Sequence, residues 1–188
     1  TITANFVPNS YSVNVSIVPG TAGSVIGAGS YSHGDTVTLS VTSDTANGYF
    51  FGYWSGSILG NDNPLTFQIT SDINLTANFG LNAYTLVLNA TAGGTVSGSG
   101  NITHGTLHTI TATPNVGYSF TSWTGEGVTN PASATTTVNM VQARSVNANF
   151  SSLNYTVSGR AGIGGSINDI NGSYSYDSNI SIIATANT

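Results

Sequence analysis

The chain has 188 residues, of which 5% are charged, and a formal net charge of −5. Ordinary soluble domains carry about 25% charged residues. The only basic residues are Arg144 and Arg160. That argues against nucleic acid and anionic membrane surfaces, since phosphate neutralisation takes clustered Lys and Arg. No stretch approaches the ~18 apolar residues of a membrane-spanning helix. Cysteine is absent, which removes disulfides but does not assign a compartment.

In chain order, the first recognisable element is Ile2-Thr-Ala-Asn-Phe6. Its pattern returns as Leu75-Thr-Ala-Asn-Phe79 and as Val146-Asn-Ala-Asn-Phe150. A period of about 70 residues marks an array of small units. Residues 1–6 read as the closing strand of a preceding or neighbouring repeat. The first full repeat covers 11–79 and opens at Tyr11-Ser-Val-Asn-Val15; the second covers 84–150 and opens at Tyr84-Thr-Leu-Val-Leu88. Residues 155–188 open a third repeat at Tyr155-Thr-Val157, which stops about half way.

Within each unit the same marks recur in the same order. A glycine turn comes first, at Ala22-Gly-Ser-Val25, Gly93-Gly-Thr-Val96 and Gly164-Gly-Ser-Ile167. Tyr31-Ser-His-Gly34 follows, matched by Ile102-Thr-His-Gly105 and more loosely by Tyr174-Ser-Tyr-Asp177. Next is an alternating stretch: Thr36-Val-Thr-Leu-Ser-Val41, Thr109-Ile-Thr-Ala112 and Ile180-Ser-Ile-Ile-Ala184. Gly48-Tyr-Phe-Phe-Gly-Tyr-Trp54 then aligns with Gly117-Tyr-Ser-Phe-Thr-Ser-Trp123. Leu65–Ile69 and Thr135–Met140 precede the closing marks.

Apolar and polar residues alternate through nearly all of these segments, the period of a half-buried strand. Val, Ile, Thr, Tyr and Phe suit a pleated sheet, and Gly, Asn, Asp and Ser supply the turns. There is no Lys, and Glu126 is the one Glu, so strong helix formers are scarce. The expectation is an all-β chain of tandem small antiparallel modules, β-grasp-like or sandwich-like. Each module has five or six strands and little helix. At this size a core is marginal, and each buried ring contributes roughly 1.5–3 kcal/mol. Tyr49, Phe51 and Trp54 should pack with Phe67 and Phe79. Tyr118, Phe120 and Trp123 should pack with Phe150. Tyr53 reads as out of phase with Phe51 and as the more exposed ring.

The marks from Tyr84 to Phe150, with Gly117-Tyr-Ser-Phe-Thr-Ser-Trp123 and Ala148-Asn-Phe150 at their separation, resemble the divergent internalin-type B-repeat. The likeness covers almost the whole chain. It departs at Thr42–Asn47, which replaces the Thr-Pro-Asn approach to the glycine. The resemblance implies β-rich modules strung as stalks or adhesive arrays of secreted and surface proteins. It implies no catalytic residue and no cofactor.

Residues that carry chemistry are sparse. His33 and His104 occupy equivalent turns with His108 nearby, and no second ligand recurs beside them; locally satisfied turn histidines are expected, not a metal site. The acids Asp35, Asp44, Asp62, Asp72, Glu126, Asp169 and Asp177 are scattered. They suggest neither a nucleophile with its base nor a carboxylate pair. Asn61-Asp-Asn63 offers oxygens to Ca²⁺ but lacks a full ligand loop, and an ordinary turn before Pro64 is expected. Eight Asn-x-Ser/Thr sites occur, of which Asn101 and Asn171 fall in expected turns and are the glycosylation candidates. Without Lys, no Lys–Asn isopeptide bond can rivet the modules.

Two functions follow. The first is a non-catalytic extracellular structural array at the cell surface: a segment of a fibre, filament or adhesin stalk. Its partners would be copies of itself or neighbouring repeats. In its sharper form the strand carrying Ile2, Ala4 and Phe6 completes the unfinished repeat of the next copy, head to tail. The rival to that sharper form is a piece of a longer array. The second function is a carbohydrate-binding or adhesive module that stacks sugars on exposed Tyr31, Tyr53, Tyr174 and Tyr176.

Overall fold

Alternation of apolar and polar side chains sets the elements of this chain. The structure, a computed structural model, describes residues 1–7 and 9–187. The first repeat forms β1 (Ser10–Val18), β2 (Gly23–Ile26), β3 (Gly29–Ser32), β4 (Thr36–Ser43), β5 (Tyr49–Gly56), β6 (Leu65–Gln68) and β7 (Ile73–Leu81). The second forms β8 (Ala83–Ala90), β9 (Gly94–Ser97), β10 (Gly100–Thr103), β11 (Thr106–Pro114), β12 (Tyr118–Thr124), β13 (Thr135–Met140) and β14 (Arg144–Ser152). Helix is confined, among the described residues, to one 3₁₀ turn at Thr45–Asn47. The chain is thus all-β, in tandem repeats of about 70 residues.

Each repeat places its strands in two sheets. In the first, a four-stranded sheet has the order β3-β1-β7-β5 and a three-stranded one the order β2-β4-β6. The second repeats this as β10-β8-β14-β12 and β13-β11-β9. Most pairs are antiparallel, but β1–β7 and β8–β14 are parallel. The strand count per repeat is therefore higher than the alternation suggested. Short arms such as β2 and β3 are only four residues long and read as turn sequence. The closing strand is not an edge: it lies between the opening strand and the aromatic strand. Both sheets feed one core per repeat, with Val37, Leu39 and Val41 of β4 joining Val13, Trp54, Leu75 and Ala77. That is the sandwich-like arrangement, since no helix lies across a sheet as a β-grasp requires.

The register explains why the repeated marks are repeated. Trp54 of β5 stands opposite Ala77 of β7, and Trp123 of β12 stands opposite Ala148 of β14. All four side chains are buried. A small residue across the ladder leaves room for the indole, and close packing tolerates little volume error. The indole N–H also needs an acceptor. Trp54 Nε1 donates to the Asp62 carbonyl at 2.9 Å, and Trp123 Nε1 to the Ser133 carbonyl at 3.0 Å. Phe51 and Phe120 tilt against these tryptophans at 5.3 and 5.7 Å, and Phe79 and Phe150 meet them edge-on. Phe67 packs on the first core. Tyr49 and Tyr118, expected in the cores, are half-buried and stand outside them.

Strict alternation would put Phe51 and Tyr53 on one face. The pairing with β7 shifts register between them, so a bulge turns Phe51 inward and Tyr53 outward. The second repeat shifts register at the matching place, between Phe120 and Ser122.

Residues 154–187 form β15 (Asn154–Val157), β16 (Gly165–Ile167), β17 (Gly172–Ser175) and β18 (Ala184–Ala186). β15 pairs with β17, and β16 with β18. These registers match β1–β3 and β2–β4, so this segment reproduces the opening half of a repeat. Contacts divide the chain into two compact units: 1–83 with Thr103–Gly105, and Tyr84–Ile102 with Thr106 onward. Residues 1–7 form no strand, and Ile2 and Phe6 are fully exposed. The closing-strand sequence there makes no ladder within this chain, where β1 and β8 have β7 and β14 as their parallel partners.

Two substitutions check the Trp–Ala pair. Trp123→Ala should destabilise the protein by about 3–5 kcal/mol. Ala148→Leu should cost about 1–3 kcal/mol by overpacking. Urea unfolding followed by circular dichroism measures both; a neutral Ala148→Leu would show that the indole does not need that space.

Candidate functional site

The ionisable residues do not converge. Among the described residues no group of three His, Asp or Glu could hold a metal ion. His33 is a turn residue whose N–H donates to the Asn9 carbonyl at 2.8 Å and whose ring lies 5.9 Å from Tyr11. His108 is on β11, with Nε2 2.9 Å from the Gly98 carbonyl. Asn63 is a structural clamp: its amide accepts from Val41 N–H at 2.8 Å and donates to Val41 C=O at 2.9 Å. It thereby extends the ladder of β4, and Asp62 spends its carbonyl on Trp54. Arg144 and Glu126 form an ion pair at 3.5 Å, with the Glu side chain in solvent, where such pairs contribute little.

Two carboxylates are held below their ordinary range. The backbone N–H and hydroxyl of Ser12 donate to Asp72 and lower its pKa. The side chain and backbone N–H of Asn47 do the same for Asp44, which caps the 3₁₀ turn. Both serve the fold: Asp72 ties the start of β7 to β1.

The His-Gly mark has a packing role. Within the first unit, Asn82 N–H donates to Gly48 C=O at 2.9 Å, and His104 N–H donates to Asn82 C=O at 2.8 Å. Gly48 has φ 77°, and a Cβ there would collide with the His104 ring. Within the second unit the same chain of bonds runs from Tyr176 through Leu153 to Gly117, each at 2.7 Å. Gly117 has φ 81° and lies against the Tyr176 ring. Glycine is required at both places for the left-handed backbone and for the ring seated on it. A shallow cavity of about 410 Å³ beside Gly48 is lined by Asp44, Tyr49 and His104 among others.

The four tyrosines proposed for sugar stacking divide. Tyr31 and Tyr174 are half-buried, with hydroxyls donating to Gly27 C=O at 2.6 Å and Ile170 C=O at 3.1 Å. Tyr31 packs on the first core, so the expected exposure of these two is corrected: each ring closes over its own hairpin. Tyr176 is exposed at 39% and seated on Gly117, and Tyr53 is exposed at 54%. A ring that alternation hid is Phe50, also on the outer face of β5 and 46% exposed. It stands opposite Gly80, where a Cβ would lie 2.6 Å from Phe50 Cζ. The tip of the ring therefore reaches over Gly80 of β7. The pairing of an aromatic with an exposed-face glycine was the signal available in the sequence.

Both glycosylation candidates are exposed. Asn101, expected in a turn, lies on strand β10 and accepts from Thr85 Oγ1 at 2.8 Å. Asn171 lies between β16 and β17, and its amide donates to Asp169 and accepts from Gly159 N–H. On the outer faces, two in-register Asn pairs bridge the parallel strands: Asn14–Asn74 at 3.2 Å and Asn89–Asn147 at 3.1 Å.

Comparison with known proteins gives one family, described as the divergent InlB B-repeat domain, which matches residues 13–83 and again 84–154. No curated protein and no solved structure matches the chain. No helix among the described residues is long and apolar enough to cross a membrane.

The lowered carboxylates fix a sign for acid stability. A depressed folded-state pKa stabilises the fold above the unfolded value of about 3.9 and is lost as pH falls through the folded value. Asp72→Asn should therefore lower the melting temperature at pH 7 and flatten its decline below about pH 4. A melting curve between pH 2 and 7 tests this, and an unchanged acid limb would refute it.

Proposed function

The chain belongs to the divergent InlB B-repeat family, and from that premise we propose that it works as a non-catalytic structural array outside the cell. Repeats of this family are modules of surface proteins and are typically non-catalytic. The observation that carries the reading is duplication of architecture without duplication of chemistry. Both full repeats keep the Trp–Ala core, the indole bond and the sheet order, while the carboxylates fall at unmatched places and the matched histidines, His33 and His104, sit in turns. The array resists extension through strand pairing and packing, as part of a fibre, filament or adhesin stalk.

The finer proposal concerns the unfinished repeat. By register, Ile182 corresponds to Leu39 and Ile110. Leu39 and Ile110 are fully buried, whereas Ile182 is 64% exposed. A full repeat covers this position with its closing strand and the aromatic strand beside it. The segment around Ile2, Ala4 and Phe6 has a closing-strand sequence and is exposed. We propose that it pairs in parallel with β15 of a second copy, as β7 pairs with β1. The donated strand supplies the central member and not the Trp-bearing one. The contact is therefore weaker than an intact repeat. A head-to-tail contact of this kind propagates without closing.

Electron microscopy and sedimentation of the purified chain at rising concentration test the proposal. The wild type should form filaments, and Ala4→Arg, in an exposed segment that leaves the repeats intact, should stay monomeric. Monomers at every concentration, or filaments indifferent to Ala4→Arg, would overturn the assembly.

A further inference from the structure

The two full repeats are an internal control on each other. Side chains that the fold needs stand in both: Trp54 and Trp123, Phe51 and Phe120, Phe79 and Phe150, Ala77 and Ala148. Asn78 and Asn149 are kept as well, each donating to the backbone of the aromatic strand, at Tyr53 C=O (3.3 Å) and Ser122 C=O (3.2 Å). Three outer-face positions break the pattern. Phe50 opposite Gly80 is replaced by Ser119 opposite Ser151, and Tyr53 is replaced by Ser122. The serines keep the same register and close their own contact, Ser119 Oγ to Ser151 Oγ at 3.2 Å. The fold therefore does not require Phe50 or Tyr53.

We infer that the outer face of the first repeat's four-stranded sheet, centred on Phe50 and Tyr53, binds a neutral polysaccharide of flat, equatorially substituted sugar rings. Three features specify that ligand. Phe50 reaches over Gly80, where a Cβ would meet the tip of its ring, and Phe50 and Tyr53 are both exposed, 46% and 54%, on the same strand. At about 3.3 Å of rise per residue, the two rings are spaced roughly 7–10 Å along β5. Axial C–H groups of an equatorially substituted pyranose are weakly positive and pack on the negative face of an aromatic ring. Around the rings, the Asn78 side-chain N–H groups are spent on Tyr53 C=O, Ser55 Oγ and Thr76 C=O, which leaves the Asn78 Oδ1 and the hydroxyls of Ser55 and Thr76 for sugar hydroxyls, and none of these is ionisable. The charge pattern excludes the anionic alternative: residues 10–82 contain four Asp and no Lys or Arg. A sulfated or uronic glycan would meet only negative charge, which a neutral one does not feel.

This site is independent of the assembly proposed above and would stand if that assembly failed. The substitutions that test it come from the second repeat, which folds with them: Tyr53→Ser, and the pair Phe50→Ser with Gly80→Ser. Isothermal titration of the 188-residue chain with cellohexaose, xylohexaose and chitohexaose, with a heparin hexasaccharide beside them, gives the affinities. Amide NMR of Asn78 and Thr76 locates the binding, and melting temperatures check the fold. At least one neutral hexasaccharide should bind and shift those amides. Tyr53→Ser should weaken it at least ten-fold without lowering the melting temperature. The inference is overturned if no neutral hexasaccharide binds, if heparin binds more tightly, or if the serine variants bind as well as the wild type. It is equally overturned if those variants change only self-association, since the face would then be a contact between copies.

Discussion

The cross-strand pair of a buried tryptophan with an alanine is the constraint on which each repeat depends. A ~70-residue module without disulfides has little apolar area to spare. One indole supplies a large share of it, provided that the strand opposite leaves space and a loop carbonyl takes the N–H. Ala77 and Ala148 give the space; Asp62 and Ser133 give the carbonyl. The loop between the aromatic strand and the next is thereby pinned from inside. Its sequence differs between repeats because the bond to the indole uses only a backbone carbonyl.

That pair also decides where the closing strand must run. To bring alanine against tryptophan, the strand enters the middle of the sheet, antiparallel to the aromatic strand and parallel to the opening one. The opening strand thus makes its last pairing only after the whole repeat has been traversed, a non-local contact with the loop-closure cost such contacts carry. The rings seated on Gly48 and Gly117 add a second, local lock, made by a turn and a linker residue in the same pattern twice.

The ionisable side chains of this chain do not converge on one place. The few carboxylates with lowered pKa cap a turn and tie two strands. The histidines sit in turns or on a strand, and His108 spends its Nε2 on the Gly98 carbonyl. What varies between the repeats is the outer face of the four-stranded sheet, aromatic in the first and hydroxyl-bearing in the second. A fold that tolerates both at the same register leaves that face free for function.

The sequence alone determined the repeat period, the all-β class and the family likeness, because these are local patterns of alternation and turn residues. Phe51, Trp54, Phe79 and their counterparts were legible as core because they recur. Tyr49 and Tyr118 recur too, yet lie outside the core, for recurrence marks structural need and not burial as such. Only the tertiary structure decided that the closing strand is central and parallel, that a bulge separates Phe51 from Tyr53, and that Tyr31 folds over its own hairpin. Strand order, register shifts and ring placement depend on which backbone edges meet across dozens of residues, and a period-two pattern reads the same on either edge of a sheet.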